Sequence, residues 1–417
     1  MLLSSYSMPI AAAIIGNAAS TPPPHQRIDV TFSIFLLLTM VAAIGVARLL
    51  RGLGLPGARI VGGLVVGIIL GPAVLGRLAP DDWIRIVMGG QMERARIHEL
   101  ERDHAAWRFA AATVPLPPEE FTAEAVRHRN DLGPLEARLQ AVETTHARPW
   151  AVLTILLAAG AAACGRASRR PLEPMPNRDD SVAAGSWAAL FPALATWTVF
   201  ALTGRDAFGP EAMFTAAAVG IAGWSIESRD RRIAGEASAF LDRASSTAIW
   251  IACGIATIAA WKSGSGWGVV GICAVPMWIP LIRQPGLRRG FRRLRDEALL
   301  PSLAAVCVLR SEFFLDVPWG LTLLLIVIAG DGRWLGWYAG LRLSNAPARS
   351  PLRASLAITD AAGPQLAVTA TAVALGVIGP GIGFALVIAA AAIDLTAPLR
   401  RHIARGVERP GDEEMSA

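Results

Sequence analysis

Long apolar runs recur along almost the whole chain, and they limit what it can fold into more than any other feature. Of 417 residues, 53% are hydrophobic and 17% are charged, and runs of roughly 17–25 apolar residues have the length of a transmembrane helix. In lipid, backbone polar groups must be paired within the segment, which favours helices. We therefore predict an all-α polytopic membrane protein with about 11–12 spans. The eleven candidates are 29–50, 58–79, 149–165, 182–203, 211–227, 238–261, 267–283, 297–314, 318–341, 354–377 and 380–398.

The segment before these spans, residues 1–20, is weakly apolar and has no basic residue ahead of it. It is either a twelfth helix or a poor signal sequence, since a secretory signal normally begins with positive charge.

Arginines mark every second loop between the predicted spans. The rich loops contain Arg48, Arg51 and Arg59; Arg166, Arg169 and Arg170; Arg229, Arg231 and Arg232; a cluster from Arg283 to Arg295; Arg342, Arg349 and Arg353; and Arg400, Arg401 and Arg405. Because cytoplasmic loops carry the excess of basic residues, this alternation predicts a multi-pass protein of the cell (inner) membrane with a cytoplasmic C-terminus. The arginines are read as topology signals, and no nucleic-acid partner is expected.

The chain divides into five parts on this basis. They are an N-terminal apolar segment and linker (1–28), the first membrane helices (29–80), a soluble helical insert (81–148), a membrane core with the character of a transporter (149–398) and a cytoplasmic tail (399–417). The topology places the insert outside the cell.

The insert is predicted to be a helical hairpin that packs on itself or on a partner protomer. Three prolines, Pro115, Pro117 and Pro118, divide it, and Leu132, Leu135, Leu139 and Val142 have the 3-4-3 spacing of a helical seam. It holds His98, His104, His128 and His146, four of the six histidines. Their spacing matches no metal-ligand motif, so solvated helix faces are expected, with a metal or pH-sensing role as the alternative.

Glycines at a four-residue interval lie in the apolar stretch from Gly54 to Pro80. Gly63, Gly67 and Gly71, followed by Pro72, would line one helix face and allow another helix backbone to approach closely. The four cysteines lie within apolar runs without a CxxC spacing, so we expect small buried residues, no disulfide and no metal site.

Few charges fall inside the predicted spans, and each is a candidate functional residue because a charge in the bilayer is costly. Asp242 and Arg243 open one span, Asp331 and Arg333 lie within another, and Asp360 lies within a third. Asp394, late in the last span, is interpreted as interfacial.

The Gly54–Pro80 stretch resembles the second core helix of the monovalent cation:proton antiporters, the membrane domain of the sodium/hydrogen exchangers. Further similarity lies at Pro192, at the segment 215–219, at 328–336 with Arg333 in the family's basic position, and at 359–367. The resemblance implies an inverted-repeat bundle in which two broken helices cross at the midplane. It also implies a homodimer.

The chain departs from that family at the ion site. Counting forward without gaps places the family's acidic pair on Ser245 and Ser246, with Asp242 one turn earlier, and Gly363-Pro364 replaces a Gly-Glu. Two helices of the scaffold are also missing, so the chain is divergent and shortened. The resemblance implies Asp242 as carrier, with Ser245, Ser246, Thr215 and Asp360 as further ion- or proton-binding candidates. Alternatively, Asp242 is an interfacial helix N-cap.

Arg333 would compensate charge, either by neutralising the C-terminal ends of half-helices or by pairing with an acid such as Asp331 or Asp360. The implied function is a secondary transporter that exchanges H⁺ for Na⁺ or K⁺ by alternating access, with no cofactor. The alternative is a transport-inactive homologue that acts as a sensor or partner subunit through residues 81–148. An enzyme is disfavoured because the sequence lacks a nucleophile–base arrangement, an HExxH motif and a phosphate loop.

Overall fold

The computed structural model describes residues 30–113, 117–167, 178–203, 210–227, 287–311, 317–343 and 362–406. Within these ranges the chain is helical and has no strand. Four helical stretches are long and apolar enough to cross a membrane: Thr31–Gly52, Ala58–Leu78, Trp319–Leu343 and Pro380–Arg400. The prediction of an all-α membrane protein is thereby confirmed in its coarse form. The predicted spans 238–261 and 267–283, with Asp242, Ser245 and Ser246, lie outside the described residues, as does Asp360.

We number twelve helices through the described ranges. They are α1 (Val30–Gly52), α2 (Ala58–Leu70), α3 (Leu75–Leu78), α4 (Pro80–Trp83, continued by the π-turn Ile84–Met88), α5 (Gln91–Thr113), α6 (Pro118–Ala167), α7 (Arg178–Leu202), α8 (Pro210–Glu227), α9 (287–308), α10 (319–343), α11 (Ala362–Ala374) and α12 (Pro380–Gly406).

Two of the membrane helices contain a single π-helical turn. In α9 it is Arg295–Leu299, and in α10 it is Ile328–Gly332, directly before Arg333. Such turns insert a residue into an α-helix and are frequent at functional sites. In both helices the π-turn adjoins charged side chains that the later sections describe.

The second half of α9 is the centre of the described core. All nine residues of Leu300–Val308 are buried, and this segment contacts α1, α2, α6, α11 and α12. Its small and aliphatic residues let several helices approach at once. The indole Nε1 of Trp150 in α6 donates a hydrogen bond to the Val306 carbonyl at 2.8 Å, which joins α6 to this centre.

Glycines of α2 lie where neighbouring backbones come closest. A Cβ on Gly62 would lie 2.6 Å from the Cα of Ala47 in α1, and one on Gly63 would overlap the carbonyl oxygen of Pro301 in α9. A Cβ on Gly67 would lie 2.7 Å from the Ala305 carbonyl oxygen. Gly62 therefore faces α1, and Gly63 and Gly67 face α9. At these three positions a larger residue would displace a neighbour.

The third glycine of the series is not on the same helix face as the first two. Helix α2 ends at Leu70, and Gly71 is extended, with φ −81° and ψ −172°. Pro72 explains this, because proline has no N–H for the helical ladder and disfavours the α conformation in the residue before it. Gly71 still lies close to α9, where a Cβ would be 3.2 Å from the Leu309 carbonyl oxygen.

The insert forms an antiparallel pair of helices, α5 and the first part of α6. Arg94 pairs with Glu143 near the base of this hairpin, and Trp107 contacts Phe121 near its tip with ring centroids 5.4 Å apart. Of the predicted seam, Leu132, Leu135 and Leu139 are half-buried, while Val142 is 36% exposed.

Helix α6 has 50 residues, which corresponds to about 75 Å of helix. It continues through Pro134 and Pro149 into the membrane core. The predicted boundary between insert and core at residue 148 therefore lies inside one continuous helix.

Candidate functional site

Helices α7, α8 and α10 pack backbone to backbone around the candidate site. A Cβ on Gly220 of α8 would lie 2.9 Å from the Ala189 carbonyl oxygen of α7. A Cβ on Gly336 of α10 would lie 3.1 Å from the Cα of Ala188 and would overlap the Trp187 carbonyl oxygen. Small residues at these crossings bring α8 and α10 close enough for one side chain to bridge them.

Arg333 is that bridging side chain, and it is buried, with 3% of its surface exposed. Its Nε and Nη2 donate hydrogen bonds to the Val219 carbonyl of α8 at 3.1 and 2.8 Å. The same Nη2 donates to Oε1 of Gln365 in α11 at 2.5 Å. A buried guanidinium in a membrane bundle is thus held by neutral oxygens from two other helices.

Gln365 extends this contact into a chain of hydrogen bonds across four helices. It is fully buried, and its Nε2 donates to the Leu386 carbonyl of α12 at 3.0 Å. Because the amide accepts from Arg333 with its oxygen and donates with its nitrogen, both of its polar atoms are used. The chain therefore runs from α8 through α10 and α11 to α12.

The charge of Arg333 is not matched by an acid within the described part of the chain. Its Nη1 is buried and has no hydrogen-bond partner there. Asp331, two residues earlier in α10, is exposed and makes no ion pair with it. The Val219 carbonyl lies in the middle of α8 and not at the C-terminal end of a half-helix, so the described residues show neither of the two alternatives raised by the sequence. Asp360, the other acid considered there, lies outside the described residues.

Thr215 lies one helical turn before Val219, in the same helix as the carbonyl that Arg333 binds. Its side chain is fully buried, and its hydroxyl donates to the Glu211 carbonyl at 2.6 Å. Helix α8 is continuous from Pro210 to Glu227, so the segment 215–219, which resembles a broken helix, is unbroken. Thr215 keeps lone pairs on its oxygen for a ligand, but its proton is engaged within α8.

A second charged cluster surrounds Asp394, which lies in α12 two turns after Leu386. Asp394 is 6% exposed, and both of its oxygens accept hydrogen bonds from Arg59, with Nε to Oδ2 at 2.8 Å. Arg59 Nη1 also contacts Asp296 Oδ1 at 3.1 Å, and Asp296 pairs with Arg295 at 2.7 Å. Asp394 is thus a buried acid, neutralised by an arginine 335 positions away, and its position at the membrane interface stays a prediction.

The local backbone of α2 explains how Arg59 reaches Asp394. Gly57, at the start of α2, has a left-handed φ of 69°, and a Cβ there would lie 3.0 Å from the Leu395 backbone nitrogen. Glycine adopts this conformation without strain, so α2 can begin directly against α12. Arg59, two residues later, then faces the acid.

The histidines of the insert do not all lie on solvated faces. His104 and His128 stack across the hairpin, with ring centroids 3.8 Å apart and planes 5° apart. The ring of His146 stacks on Phe32 at 4.7 Å, and its Nε2 lies 2.8 Å from the Ile86 carbonyl oxygen. Only His98 has the expected exposure, at 88% of its side chain. Burial and the neighbouring His128 lower the pKa of His104 from its ordinary value.

Metal ligation finds no support in the ranges that the structure describes, where no group of three or more His, Cys, Asp or Glu side chains is placed to hold an ion. No protein-family model, curated protein or solved structure matches the chain. The likeness to the antiporters therefore depends on the sequence motifs given above.

Arg333 was predicted from the sequence as a functional residue, whereas Gln365, its partner, and Arg59, the partner of Asp394, were not. Gln365 is the longest polar side chain in α11, whose other residues are apolar or small, and that contrast was the available signal. Arg59 was interpreted only as a topology signal, and its proximity to Asp394 has no signature in either local sequence.

Proposed function

We propose that this protein is a secondary transporter that exchanges protons for a monovalent cation, Na⁺ or K⁺, across the membrane by alternating access. The observation that carries the proposal is the buried guanidinium of Arg333. An ionisable residue inside a membrane bundle is costly, and such residues mark ion and proton pathways. Its hydrogen bonds to Val219 and Gln365 hold a fixed positive charge between four helices.

A fixed positive charge favours a carboxylate as its counterpart. Gln365 is neutral, so it orients Arg333 without cancelling its charge. Nη1 of Arg333 also remains without a partner among the described residues. The candidate acids are Asp242 and Asp360, which lie outside those residues. A carboxylate that is anionic with a cation bound and neutral when protonated would let the two ions compete for one site.

In this mechanism Asp242 is the exchanging carboxylate, and desolvation in the core raises its affinity for a proton. Hydroxyl oxygens of Ser245, Ser246 and Thr215 are suited to ligate a small hard cation. Arg333 remains positive throughout and stabilises the anionic state of the site. No cofactor is required, and the expected partners are the lipid bilayer, the transported ions and a second copy of the chain.

A transport-inactive membrane protein is the second candidate function, and one observation favours it. In the described part of the core, Asp394 is neutralised by Arg59, and Asp331 is exposed. A bundle that used its acids only for structure would serve as a scaffold for the long hairpin of α5 and α6. That hairpin would then contact a sensor ligand or a partner subunit.

Proteoliposome flux separates the two candidates. Purified protein is reconstituted with an internal pH dye, and Na⁺, K⁺ or Li⁺ is added outside. We expect a cation-dependent proton flux that Asp242→Asn abolishes. The matched control is Asp82→Asn, which changes an exposed acid outside the core and should leave the flux unchanged. Absence of flux in the wild type at every pH and cation would overturn the proposal and favour the inactive homologue.

A further inference from the structure

The stacked histidines of the hairpin have no part in the proposed transport site, yet they form a direct contact between α5 and α6. His104 projects from α5 and His128 from α6, and Trp107 extends the stack on the α5 side, 5.8 Å from His104. The base of the hairpin is held separately by the Arg94–Glu143 ion pair. The distal half therefore depends on the rings of His104, His128, Trp107 and Phe121.

Protonation of both rings would weaken this stacked contact. Two imidazolium rings stacked at 3.8 Å would place like charges face to face, and like charges at this distance disfavour the doubly protonated state. Nε2 of His104 is buried without a hydrogen-bond partner in the described ranges, so a proton there has no acceptor. The rings are therefore compatible with stacking only while at least one is neutral.

The surrounding charges act on His104 from both helices. Desolvation, His128 and then Arg108 of its own helix lower the pKa of His104, while Glu124 of α6 opposes them. A histidine whose pKa is lowered in the closed form stabilises that form when neutral. This stabilisation is complete above the pKa of the open form, about 6.5 for a solvated histidine, and it declines as the pH falls through that value.

The long helix α6 connects this contact mechanically to the core. Beyond the hairpin it packs along α11, the helix of Gln365, and along α9, where Trp150 binds the Val306 carbonyl. Near the junction, His146 lies against Gly89, where a Cβ would be 2.9 Å from its Cγ. A movement of the distal hairpin would therefore act on a helix that packs against α11, the helix that carries Gln365.

We propose that His104 and His128 form an acid-sensitive clasp, which closes the distal hairpin at neutral pH and releases it below about pH 6.5. The charged groups that face the pair are Arg108 on α5 and Glu124 on α6. If the chain is a transporter, release of the clasp would make its activity respond to pH outside the cell. That regulatory role rests on the proposed function, whereas the clasp itself does not.

Spin labels measure the clasp directly in the full-length protein. Labels are attached at Ala106→Cys and Asn130→Cys, two exposed positions on α5 and α6, after the four native cysteines are replaced by alanine. In lipid nanodiscs we expect one narrow distance distribution at pH 8 and a longer or broader one at pH 5. The midpoint should lie between the two, below about pH 6.5.

Two variants decide whether the histidine pair is the cause. His104→Gln combined with His128→Gln should remove the pH dependence, whereas His98→Gln, an exposed histidine on the same helix, should retain it. An unchanged distribution from pH 8 to pH 5 in the wild type would overturn the proposal, as would a pH-dependent change that persists in the double variant.

Hydrogen exchange of residues 97–113 at the same pH values provides a second measurement in the unlabelled protein. Neither measurement requires transport, so failure of the clasp and failure of the transporter are distinguishable.

Discussion

The guanidinium of Arg333 is buried and is held by neutral groups, one of which is the amide of Gln365. Arg333 binds a carbonyl and an amide, and a hydrogen bond to a charged group contributes more than one between neutral groups. The amide needs both of its atoms, since its nitrogen is engaged with Leu386. A glutamate at 365 would instead cancel the arginine charge, and a leucine would leave it without this acceptor.

Gln365→Leu is therefore expected to lower the free energy of unfolding by about 1.5–3 kcal/mol. The reason is that both Arg333 and the Leu386 carbonyl lose a partner in a dry environment. Unfolding by SDS titration in mixed micelles measures the change. Thr371→Val is the matched control in the same helix, because the Thr371 hydroxyl only donates to Ala367 within α11. Equal stabilities of the two variants would contradict this account of the site.

At this scale, sequence identified the charge but not its partners. Arg333 stands out in an apolar run, because a charge there is costly. Gln365 is neutral and produced no comparable signal. Contacts such as Arg59 to Asp394 join positions 335 apart, and no local pattern encodes a pairing of that kind.

The positions of the apolar helices were the feature that the sequence predicted best. Hydropathy correctly predicted helices near 29–50, 58–79, 318–341 and 380–398, since a helix needs an uninterrupted apolar face to lie in lipid. The details depend on features that hydropathy does not register. Pro72 ends α2 early, Pro149 fails to end α6, and a π-turn in α9 changes the backbone register without any change of composition.

Packing of α2 against α9 leads to a prediction at the level of elements. Gly63→Ala should destabilise the protein by about 1–3 kcal/mol, because the new methyl group overlaps the Pro301 carbonyl oxygen and the helices must separate. Gly45→Ala is the control in α1, where an added Cβ meets nothing within 4 Å. Since alanine has the higher helix propensity, that variant should be neutral or stabilised. Thermal unfolding in detergent compares them, and the absence of any loss of stability in Gly63→Ala, or an equal loss in both variants, would contradict packing as the cause.

The molecule as a whole combines a membrane bundle with a long helical hairpin, formed by α5 and the first part of α6. Helix α6 belongs to both the hairpin and the bundle. The division of the chain into insert and core therefore follows the sequence pattern and does not coincide with a break in the structure. Within the described residues, α2 begins against α12, the last described helix, and Arg59 pairs with Asp394. Asp296 adds α9 to the same cluster.

This cluster predicts strong energetic coupling between Arg59 of α2 and Asp394 of α12. Arg59→Gln and Asp394→Asn should each destabilise the protein, since either change leaves a partly or fully buried charge without its main partner. The double variant should lose less than the sum, with a coupling energy of about 0.5–3 kcal/mol. Unfolding of the four proteins in SDS completes the cycle.

The Arg85–Asp82 pair is the control, because its side chains are 65% and 63% exposed and exposed pairs contribute little. Similar coupling in both pairs would mean that burial of Asp394 gives the cluster no special role. A clear excess for Arg59 and Asp394 would mean that this buried pair stabilises the contact between α2 and α12, because the exposed Arg85–Asp82 pair has the same chemistry but not the same burial.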